Sequence, residues 1–310
     1  MLTFDADATH EALPFDRLVP ALRDLFAAGC EVPPRHVHEI ASGSSTLTSL
    51  IMPAWTARHY GIKTVNVAPG NAARGLPGLY AAYLLFDAVT GEPLALMDGS
   101  AITARRTAAA SALAASWLAR EDARHLLVVG AGAVARLLPA AYRAVRPVER
   151  AVVWARRPEA ARQLAAQWRG EGFDAAAADD LEAAVRAADV VSCATLATEP
   201  IVRGRWLAPG SHLDLIGSFT LAMREADDDA LAGASIFVDT DEALRKSGEL
   251  LEPMARGVFA PADVRGTLAA LARGEVTGRA SRAERTVFKS VGTALEDLAA
   301  ARLVLDTRRP

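Results

Sequence analysis

The chain has 310 residues, of which 51% are hydrophobic and 23% charged, and its formal net charge at pH 7 is −3. This length favours two domains, and the composition is ample for buried cores. Because the charge balance provides no broad basic surface, binding to nucleic acid or to an anionic membrane has little electrostatic support. We expect neither as a partner.

The cysteines and the first residues bear on the compartment. Cys30 and Cys193 lie far apart and without metal-ligand spacing, which argues against a disulfide framework and a zinc site. Residues 1–8 carry acids rather than a basic region and an apolar run, and no apolar stretch of roughly 18 residues follows. We therefore predict a cytoplasmic protein without a metal.

The first third of the chain predicts a mostly β domain of the α+β class. Apolar residues at helical spacing predict an amphipathic helix over residues 14–29. Short apolar or alternating runs, separated by Gly- and Pro-containing turns, predict strands at 46–52, 61–67 and 83–87. A helix over residues 103–118 ends this region.

Two adjacent arginines, Arg105 and Arg106, stand in that last helix among small apolar residues. A helix face of alanines packs closely against another element, and a planar guanidinium rising from it suits a carboxylate or a phosphate. We predict that one of the two arginines holds substrate. The alternative is an arginine paired with a neighbouring acid, such as Asp98 or Asp122.

A glycine-rich turn follows the next strand. The apolar run 125–129 leads into Gly-Ala-Gly-Ala-Val-Ala at 130–135, a helix to about residue 145 and a second strand over 150–154. A Gly-x-Gly-x-x-Ala turn between strand and helix lets the backbone approach a pyrophosphate at the helix N-terminus. We predict a dinucleotide site, with a merely tight turn as the alternative.

The end of the second strand favours NADPH, with NADH possible. Ala155 stands where NAD-binding proteins carry an acid for the ribose hydroxyls, and Arg156 and Arg157 follow it. These guanidinium groups suit a 2′-phosphate. A solvated arginine pair at the start of the next helix is the alternative.

Further strands at 189–194, 211–216 and 235–239 predict a doubly wound parallel sheet. We assign residues 119–285 to a Rossmann domain, and residues 1–118 with 286–310 to the other domain. In the last segment, Val-Phe-Lys-Ser-Val-Gly at 287–292 precedes an amphipathic helix predicted to pack on the first domain. Ser290 either approaches the cofactor or caps this helix.

Taken together, six motifs resemble the ornithine cyclodeaminase and mu-crystallin family, over residues from about 33 to 305. They are Met52-Pro53 and the segments 61–66, 85–95, 103–109, 195–201 and 287–292. The resemblance implies a homodimer whose first domain supplies the dimer interface and much of the substrate pocket, with a Rossmann second domain.

The resemblance also implies roles for individual residues. Arg35, Lys63 and Arg106 match substrate-binding positions, with Arg106 gripping the α-carboxylate and also lying near the cofactor. Arg105 is then a solvated or structural partner. The matched cofactor-lining positions are Gly130, Ala131, Gly132, Ala133, Val134, Arg156, Arg157, Thr195, Leu196, Ile216 and Ser290. Lys63 as a strand-edge residue that blunts pairing, and Arg35 as a surface charge, are the alternatives.

One segment departs from the cyclodeaminase pattern. In Asp214-Leu-Ile-Gly-Ser-Phe-Thr220, Phe219 stands at the place of the aspartate that activates water in cyclodeaminases. Without that carboxylate, deamination of ornithine lacks its base. The segment instead resembles the branch that reduces cyclic ketimines, Δ1-pyrroline-2-carboxylate and Δ1-piperideine-2-carboxylate.

The predicted activity is NAD(P)H-dependent reduction of these imines to L-proline and L-pipecolate. Arg106, with Lys63 and Arg35, would hold the imine carboxylate, and Lys63 or bulk water would supply the proton for nitrogen. Three alternatives share the family: an ornithine cyclodeaminase, a mu-crystallin-like NADPH-dependent ligand-binding protein, and an alanine dehydrogenase. The last would favour NAD(H), against which Ala155 and the arginine pair argue.

Overall fold

The computed structural model describes residues 1–42 and 45–307. They form two compact units, which we call unit 1 (Met1–Arg106 with the segment from Thr293 onward) and unit 2 (Thr107–Gly292). The elements up to the first long helix are β1 Leu2–Phe4, α1 Ala6–Glu11, α2 Phe15–Ala28, β2 His36–Ser42, β3 Ser45–Trp55, β4 His59–Val67, the 3₁₀ turn Pro69–Arg74, β5 Leu79–Asp87, β6 Pro93–Asp98 and α3 Gly99–Leu118.

The remaining elements belong to unit 2, except the last helix. They are β7 His125–Val129, α4 Ala133–Arg143, β8 Arg150–Trp154, α5 Pro158–Gly170, β9 Asp174–Ala177, α6 Leu181–Ala187, β10 Val190–Cys193, the 3₁₀ turn Gly204–Trp206, β11 His212–Leu215, α7 Asp228–Leu231, β12 Ser235–Val238, α8 Ala243–Lys246, α9 Gly248–Ala255, the 3₁₀ turn Pro261–Asp263, β13 Val264–Thr267, α10 Leu268–Ala272, β14 Thr286–Lys289 and α11 Ala294–Asp306.

Unit 1 is built on a six-stranded sheet in the order β1-β6-β5-β4-β3-β2. All neighbours are antiparallel except β1 and β6, which run parallel. Helix α11 packs on α2 and on strands β3 and β4, as predicted for the last segment. In β4, buried and half-buried residues alternate, so that Lys63 and Val65 point to the covered face of the sheet.

The predicted helix 14–29 is confirmed as α2, and its apolar stripe is buried. The helix ends at Gly29, whose φ of 78° favours glycine. Helix α3 begins at Gly99, four residues before the predicted start, because the Asp98 side chain accepts a hydrogen bond from the Ala101 amide and caps the first turn.

The sequence did not predict β2 and β6. Strand β2 lies at the sheet edge, and its histidines and Glu39 are exposed, so it lacks an apolar pattern. Strand β6 begins at Pro93, inside a predicted turn. The three strands predicted in unit 1 are confirmed as β3, β4 and β5 but are longer, since sheet pairing continues past the apolar residues that mark them.

Unit 2 contains a parallel sheet in the order β13-β12-β14-β11-β10-β7-β8-β9, which confirms the predicted Rossmann architecture. The chain passes from β7 through α4 to β8 on one side, and β10 pairs with β7 on the other. The direction of winding therefore reverses between β7 and β10, which is where ligands bind in doubly wound sheets.

The division into units differs from the predicted boundaries. Residues 286–310 were predicted to belong with the first domain, yet β14 lies between β11 and β12 in the parallel sheet of unit 2. Val287 and Phe288 are fully buried there, as expected for a central strand of a parallel sheet. Helix α3 contributes residues 99–106 to unit 1 and residues 107–118 to unit 2.

Within the described ranges, no helix is long and apolar enough to span a membrane. Nor do any three His, Cys, Asp or Glu side chains of the described residues group in a way that could hold a metal ion. Both cysteines are free.

Candidate active site

Lys63 is the central residue of a charged cluster in unit 1. Its side chain extends from the middle of β4 under α11 and is 1% exposed. Nζ lies 2.8 Å from Oδ1 and 2.7 Å from Oδ2 of Asp297, and it also donates to Thr103 Oγ1 at 3.2 Å. Only the contacts to Oδ1 and to Thr103 have hydrogen-bond geometry, so among the described residues they use two of the three ammonium protons and leave one for a ligand.

Arg106 joins the same cluster from α3. Its Nε donates to Asp297 Oδ1 at 3.0 Å and its Nη1 to Glu296 Oε2 at 2.6 Å. Both acids are fully buried, whereas the Arg106 side chain keeps 8% of its surface exposed. In the described part of the chain, these bonds leave Nη2 of Arg106 for a ligand.

The charges of the cluster set its protonation. Burial lowers the pKa of Lys63 to about 8, although the Asp297 carboxylate opposes this shift. Burial raises the pKa of Asp297, but the charges of Lys63 and Arg106 outweigh that effect and hold it below its usual range. Burial also lowers the pKa of Arg106, and the two acids more than reverse this, so the guanidinium stays charged.

Arg105 has a different environment, although it is the adjacent residue. Its guanidinium donates to the backbone oxygen of Leu13, lies 3.0 Å from His10 Nε2 and stacks over the Phe15 ring at 4.2 Å from the ring centroid. It is therefore the structural arginine of the pair, and it is buried rather than solvated. The alternative pairing with Asp98 or Asp122 does not apply to Arg106, whose acids are Glu296 and Asp297.

Arg35 is the third predicted substrate residue. It immediately precedes β2 and is half-buried. Strand β2 pairs with β3, which in turn pairs with β4, the strand of Lys63. Lys63 and Arg106 are joined through Asp297. The role of Arg35 in substrate binding stays a prediction.

Glu296 and Asp297 were not predicted as site residues. They lie on the first turn of α11, behind Thr293, which caps the helix by accepting from the Leu295 amide. The interpretation of Ser290 as this cap is therefore wrong. Two adjacent acids in a helix of alanine and leucine give the same signal that singled out Arg105 and Arg106.

The glycine loop of unit 2 has the backbone that a dinucleotide site requires. Gly130 has φ of 119°, and a Cβ there would lie 2.5 Å from the Ala194 carbonyl oxygen. Gly132 is the N-cap of α4 and offers no side chain there, and Ala133 and Val134 begin the first turn of the helix. The amides of this turn can therefore bind a phosphate.

A cleft of about 340 Å³ opens beside this loop. Seven of the predicted cofactor residues line it: Gly130, Ala131, Gly132, Arg156, Arg157, Thr195 and Leu196. Ala155 also lines it, and Arg156 and Arg157 are exposed at the end of β8. The donor set fits an adenine dinucleotide with a phosphate near the arginines.

Glu225 organises the two strand-end loops next to the cleft, and no motif predicted this role. Its Oε1 accepts from the amide and the hydroxyl of Thr195, and its Oε2 accepts from the Gly217 amide. Burial raises the pKa of Glu225, which the Lys289 ammonium opposes. Because the Thr195 hydroxyl donates to this carboxylate, the hydroxyl proton is not directed at a ligand.

The remaining predicted residues lie deeper. Ile216 and Ser290 are buried directly after β11 and β14, and the Ser290 amide donates to Leu215 O. Lys289, which is fully buried, donates to the carbonyls of Leu215 and Ser290 and so joins these two strand ends. Phe219 is 49% exposed in the loop after β11.

Unit 2 has a parallel sheet with a glycine loop at its switch point, and a cleft with two arginines lies beside this loop. These features define a Rossmann dinucleotide-binding enzyme. The chain belongs to the ornithine cyclodeaminase/mu-crystallin family, whose sequence profile matches residues 13–309. The family predicted from the motifs is thereby confirmed.

Individual relatives agree with this assignment. The chain is 46% identical over 295 residues to a Δ1-pyrroline-2-carboxylate reductase of Paracoccus denitrificans, covering 94% of this chain and 92% of the relative. A solved structure of the Thermococcus litoralis Δ1-pyrroline-2-carboxylate reductase in complex with NADH and L-proline matches with a TM-score of 0.92 at 32% identity, covering 99% of this chain and 97% of that chain.

An archaeal alanine dehydrogenase dimer with bound NAD matches with a TM-score of 0.89 at 30% identity, covering 99% and 95% of the two chains.

Proposed function

We propose that this chain is an NAD(P)H-dependent ketimine reductase that converts Δ1-pyrroline-2-carboxylate to L-proline and Δ1-piperideine-2-carboxylate to L-pipecolate. The observation that carries the proposal is the buried pair of cations, Lys63 and Arg106, tied to one carboxylate and each retaining unused donors. The identity to a Δ1-pyrroline-2-carboxylate reductase supports the same conclusion.

Arg106 binds the substrate carboxylate. Asp297 and Glu296 fix Nε and Nη1, so the guanidinium is held in one orientation with Nη2 directed to the ligand. A guanidinium held this way loses little conformational entropy when it binds a carboxylate. Arg35 would add a second charge to the same end of the substrate.

Lys63 supplies the proton. The imine nitrogen must gain a proton as its neighbouring carbon is reduced, and a group with a pKa of about 8 is suited to proton transfer near neutral pH. Reduced nicotinamide, when bound, supplies the hydride that the imine carbon accepts. Unit 2 would hold it through the α4 amides and the cleft beside Gly130.

Phe219 argues against the cyclodeaminase alternative. A cyclodeaminase needs a carboxylate at this place as the base, and a phenyl ring can neither accept a proton nor pair with an ammonium. Ala155, Arg156 and Arg157 favour NADPH over NADH and argue against an NAD-dependent alanine dehydrogenase.

We also propose a homodimer formed through the outer face of the unit 1 sheet, opposite Lys63. The rings of Trp55 and Tyr60 lie 6.2 Å apart and those of Tyr60 and Phe86 lie 5.5 Å apart, which forms an aromatic row across three strands. Leu84 and Leu96 extend this row in register on β5 and β6. None of these side chains is fully buried, and an apolar patch of this kind is typical of an interface.

We propose a cytoplasmic location, which agrees with the two free cysteines.

The first experiment follows the loss of NADPH and NADH absorbance when the purified protein is mixed with either imine, and ammonia release from ornithine with NAD. We expect oxidation of NADPH with both imines and no ammonia. Ammonia release without imine turnover would replace the reductase by a cyclodeaminase. Reductive amination of pyruvate with ammonia, without imine turnover, would favour an alanine dehydrogenase.

The two adjacent arginines test the carboxylate site. Arg106→Ala removes the carboxylate-binding guanidinium, so we expect kcat/KM for the imine to fall by at least 100-fold. Arg105→Ala is the matched control, because it removes the same group one residue away. We expect it to lower thermal stability while kcat/KM changes less than threefold. Near-intact turnover by the Arg106 variant would refute the assignment.

A further inference from the structure

We propose that Asp297 is a positioning residue of the reductase, which holds the Lys63 ammonium as proton donor and the Arg106 guanidinium as carboxylate clamp in one fixed arrangement. This inference rests on the proposed function. We place this acid behind the two cations because it is fully buried, its Oδ1 accepts from both of them, and its Oδ2 lies in ion-pair contact 2.7 Å from Lys63 Nζ.

The geometry is that of a shared acceptor. Oδ1 of Asp297 accepts from Lys63 Nζ at 2.8 Å and from Arg106 Nε at 3.0 Å. Two cations with long side chains are therefore fixed by one atom on the first turn of α11. If the carboxylate were lost, each side chain would retain one other partner, Thr103 for Lys63 and Glu296 for Arg106.

The charge state of Lys63 also depends on Asp297. Lys63 faces Asp297 and Glu296 from α11, Arg106 from α3 and the Tyr83 hydroxyl from β5. Burial keeps Tyr83 neutral by raising its pKa well above its usual range. With Arg106 nearby and burial acting against its charge, Lys63 depends on Asp297 to remain an ammonium.

Asp297 supports the proton transfer that accompanies hydride addition to the imine. The imine carbon gains a hydride, the π electrons of the C=N bond move to nitrogen, and the nitrogen takes a proton from Nζ of Lys63. The nicotinamide is oxidised by two electrons, and neutral Lys63 is reprotonated from water. In the absence of the Asp297 charge, a larger fraction of Lys63 is neutral before the step and cannot donate.

The composition of the chain makes this measurable without turnover. Its lysines are Lys63, Lys246 and Lys289, so protein grown with [¹³Cε]lysine gives three ε-carbon signals, which Lys63→Met and Lys246→Gln assign. We expect the Lys63 signal of the native protein to titrate near pH 8. In Asp297→Asn we expect its midpoint to fall by at least one pH unit, and an unchanged midpoint would overturn the proposal.

Glu296→Gln is the matched control, since it removes the same charge from the adjacent residue. It retains the Lys63–Asp297 contact and weakens the ion pair between Arg106 and residue 296. We expect a raised KM for the imine and a smaller displacement of the Lys63 midpoint than in Asp297→Asn. An equal displacement in both variants would mean that general charge, rather than Asp297, controls Lys63.

Kinetics separates this inference from the proposed function. In the native enzyme kcat should decline above about pH 8 as Lys63 loses its proton, and in Asp297→Asn the decline should begin at lower pH. The expected loss is about tenfold for each unit by which the midpoint falls below the assay pH. Native protein that binds NADPH but reduces neither imine would refute the function, while the Lys63 titration would still test the contact.

Asp297→Glu covers the case in which the asparagine variant does not fold. It retains the charge and displaces it by one methylene group. We expect kcat to fall at least tenfold while the alkaline decline stays near pH 8. Native kcat in this variant would overturn the positioning role.

Discussion

Each unit contains a buried acid that accepts hydrogen bonds from more than one residue. Asp297 accepts from Lys63 and Arg106, and Glu225 accepts from Thr195 and Gly217. A carboxylate buried with several donors is costly to remove, because each donor is then left without its acceptor. Such acids therefore fix the geometry around a site even where they do not touch a ligand.

At the residue scale, we predict that Arg156 and Arg157 determine the preference between NADPH and NADH. Both are exposed at the end of β8 beside the cleft. Replacing both by alanine removes the groups suited to a 2′-phosphate, so we expect KM for NADPH to rise about 10- to 100-fold and KM for NADH to change less than threefold.

Arg162→Ala is the control for this prediction, since Arg162 is an exposed arginine one turn into α5 that does not line the cleft. It should leave both KM values unchanged. Equal increases for the two coenzymes in the double variant would show that the arginines contact a part that NADPH and NADH share.

The residue-scale predictions from the sequence were good for cations and poor for acids. Lys63 and Arg106 lie together, as the family resemblance implied, and the arginine pair also stood out among small apolar residues. Their acids lie 190 or more positions later in the chain, and no local pattern connects the two. No motif predicted Glu225 either, because it accepts from backbone amides, which every residue type carries.

At the element scale, the glycine loop between β7 and α4 tolerates little change in residue type. A side chain at Gly130 would meet the Ala194 carbonyl and would also have to adopt a φ of 119°. We expect Gly130→Ala to destabilise the protein by about 1–3 kcal/mol. It should also weaken NADPH binding at least tenfold, because the loop must move to accommodate the methyl group.

Thermal unfolding with and without NADPH measures both effects of Gly130→Ala. Gly170→Ala is the control, because Gly170 is the last residue of α5 and a Cβ there meets nothing within 4 Å. A native-like coenzyme-induced rise in melting temperature in the Gly130 variant would show that the loop does not bind the pyrophosphate.

Whole elements were predictable where one face or both faces are apolar. Helix α2 and strands β7, β8, β10, β11 and β12 of unit 2 are of this kind, whereas the short edge strands β9 and β13 were not predicted. Strand β2 was missed because edge strands carry polar residues on both faces. The position of β14 was missed because its neighbours in the sheet are set by pairing between segments far apart in the chain.

At the scale of the whole molecule, the outer sheet face of unit 1 predicts association. Trp55 and Leu96 are exposed on this face, so charging them does not disturb the core. We expect the native protein to sediment as a dimer at micromolar concentration and the Trp55→Glu/Leu96→Glu variant to sediment as a monomer.

Leu76→Glu/Val89→Glu is the matched control for the dimer, because these exposed apolar residues lie in loops of unit 1, outside its strands. It should remain a dimer. Dimers in both variants would place the interface elsewhere, and a monomeric native protein would refute the homodimer.

The late position of β14 and α11 in the chain has a consequence for synthesis on the ribosome. The parallel sheet of unit 2 cannot join β11 to β12 until residues 286–289 have emerged, and the sheet of unit 1 waits for α11. Until then Lys63 and Arg106 have no acid to pair with. Both units are therefore completed by residues 286–306, which follow the other strands of both sheets in the chain. A nascent chain without these residues has an interrupted parallel sheet and lacks the acids that pair with Lys63 and Arg106.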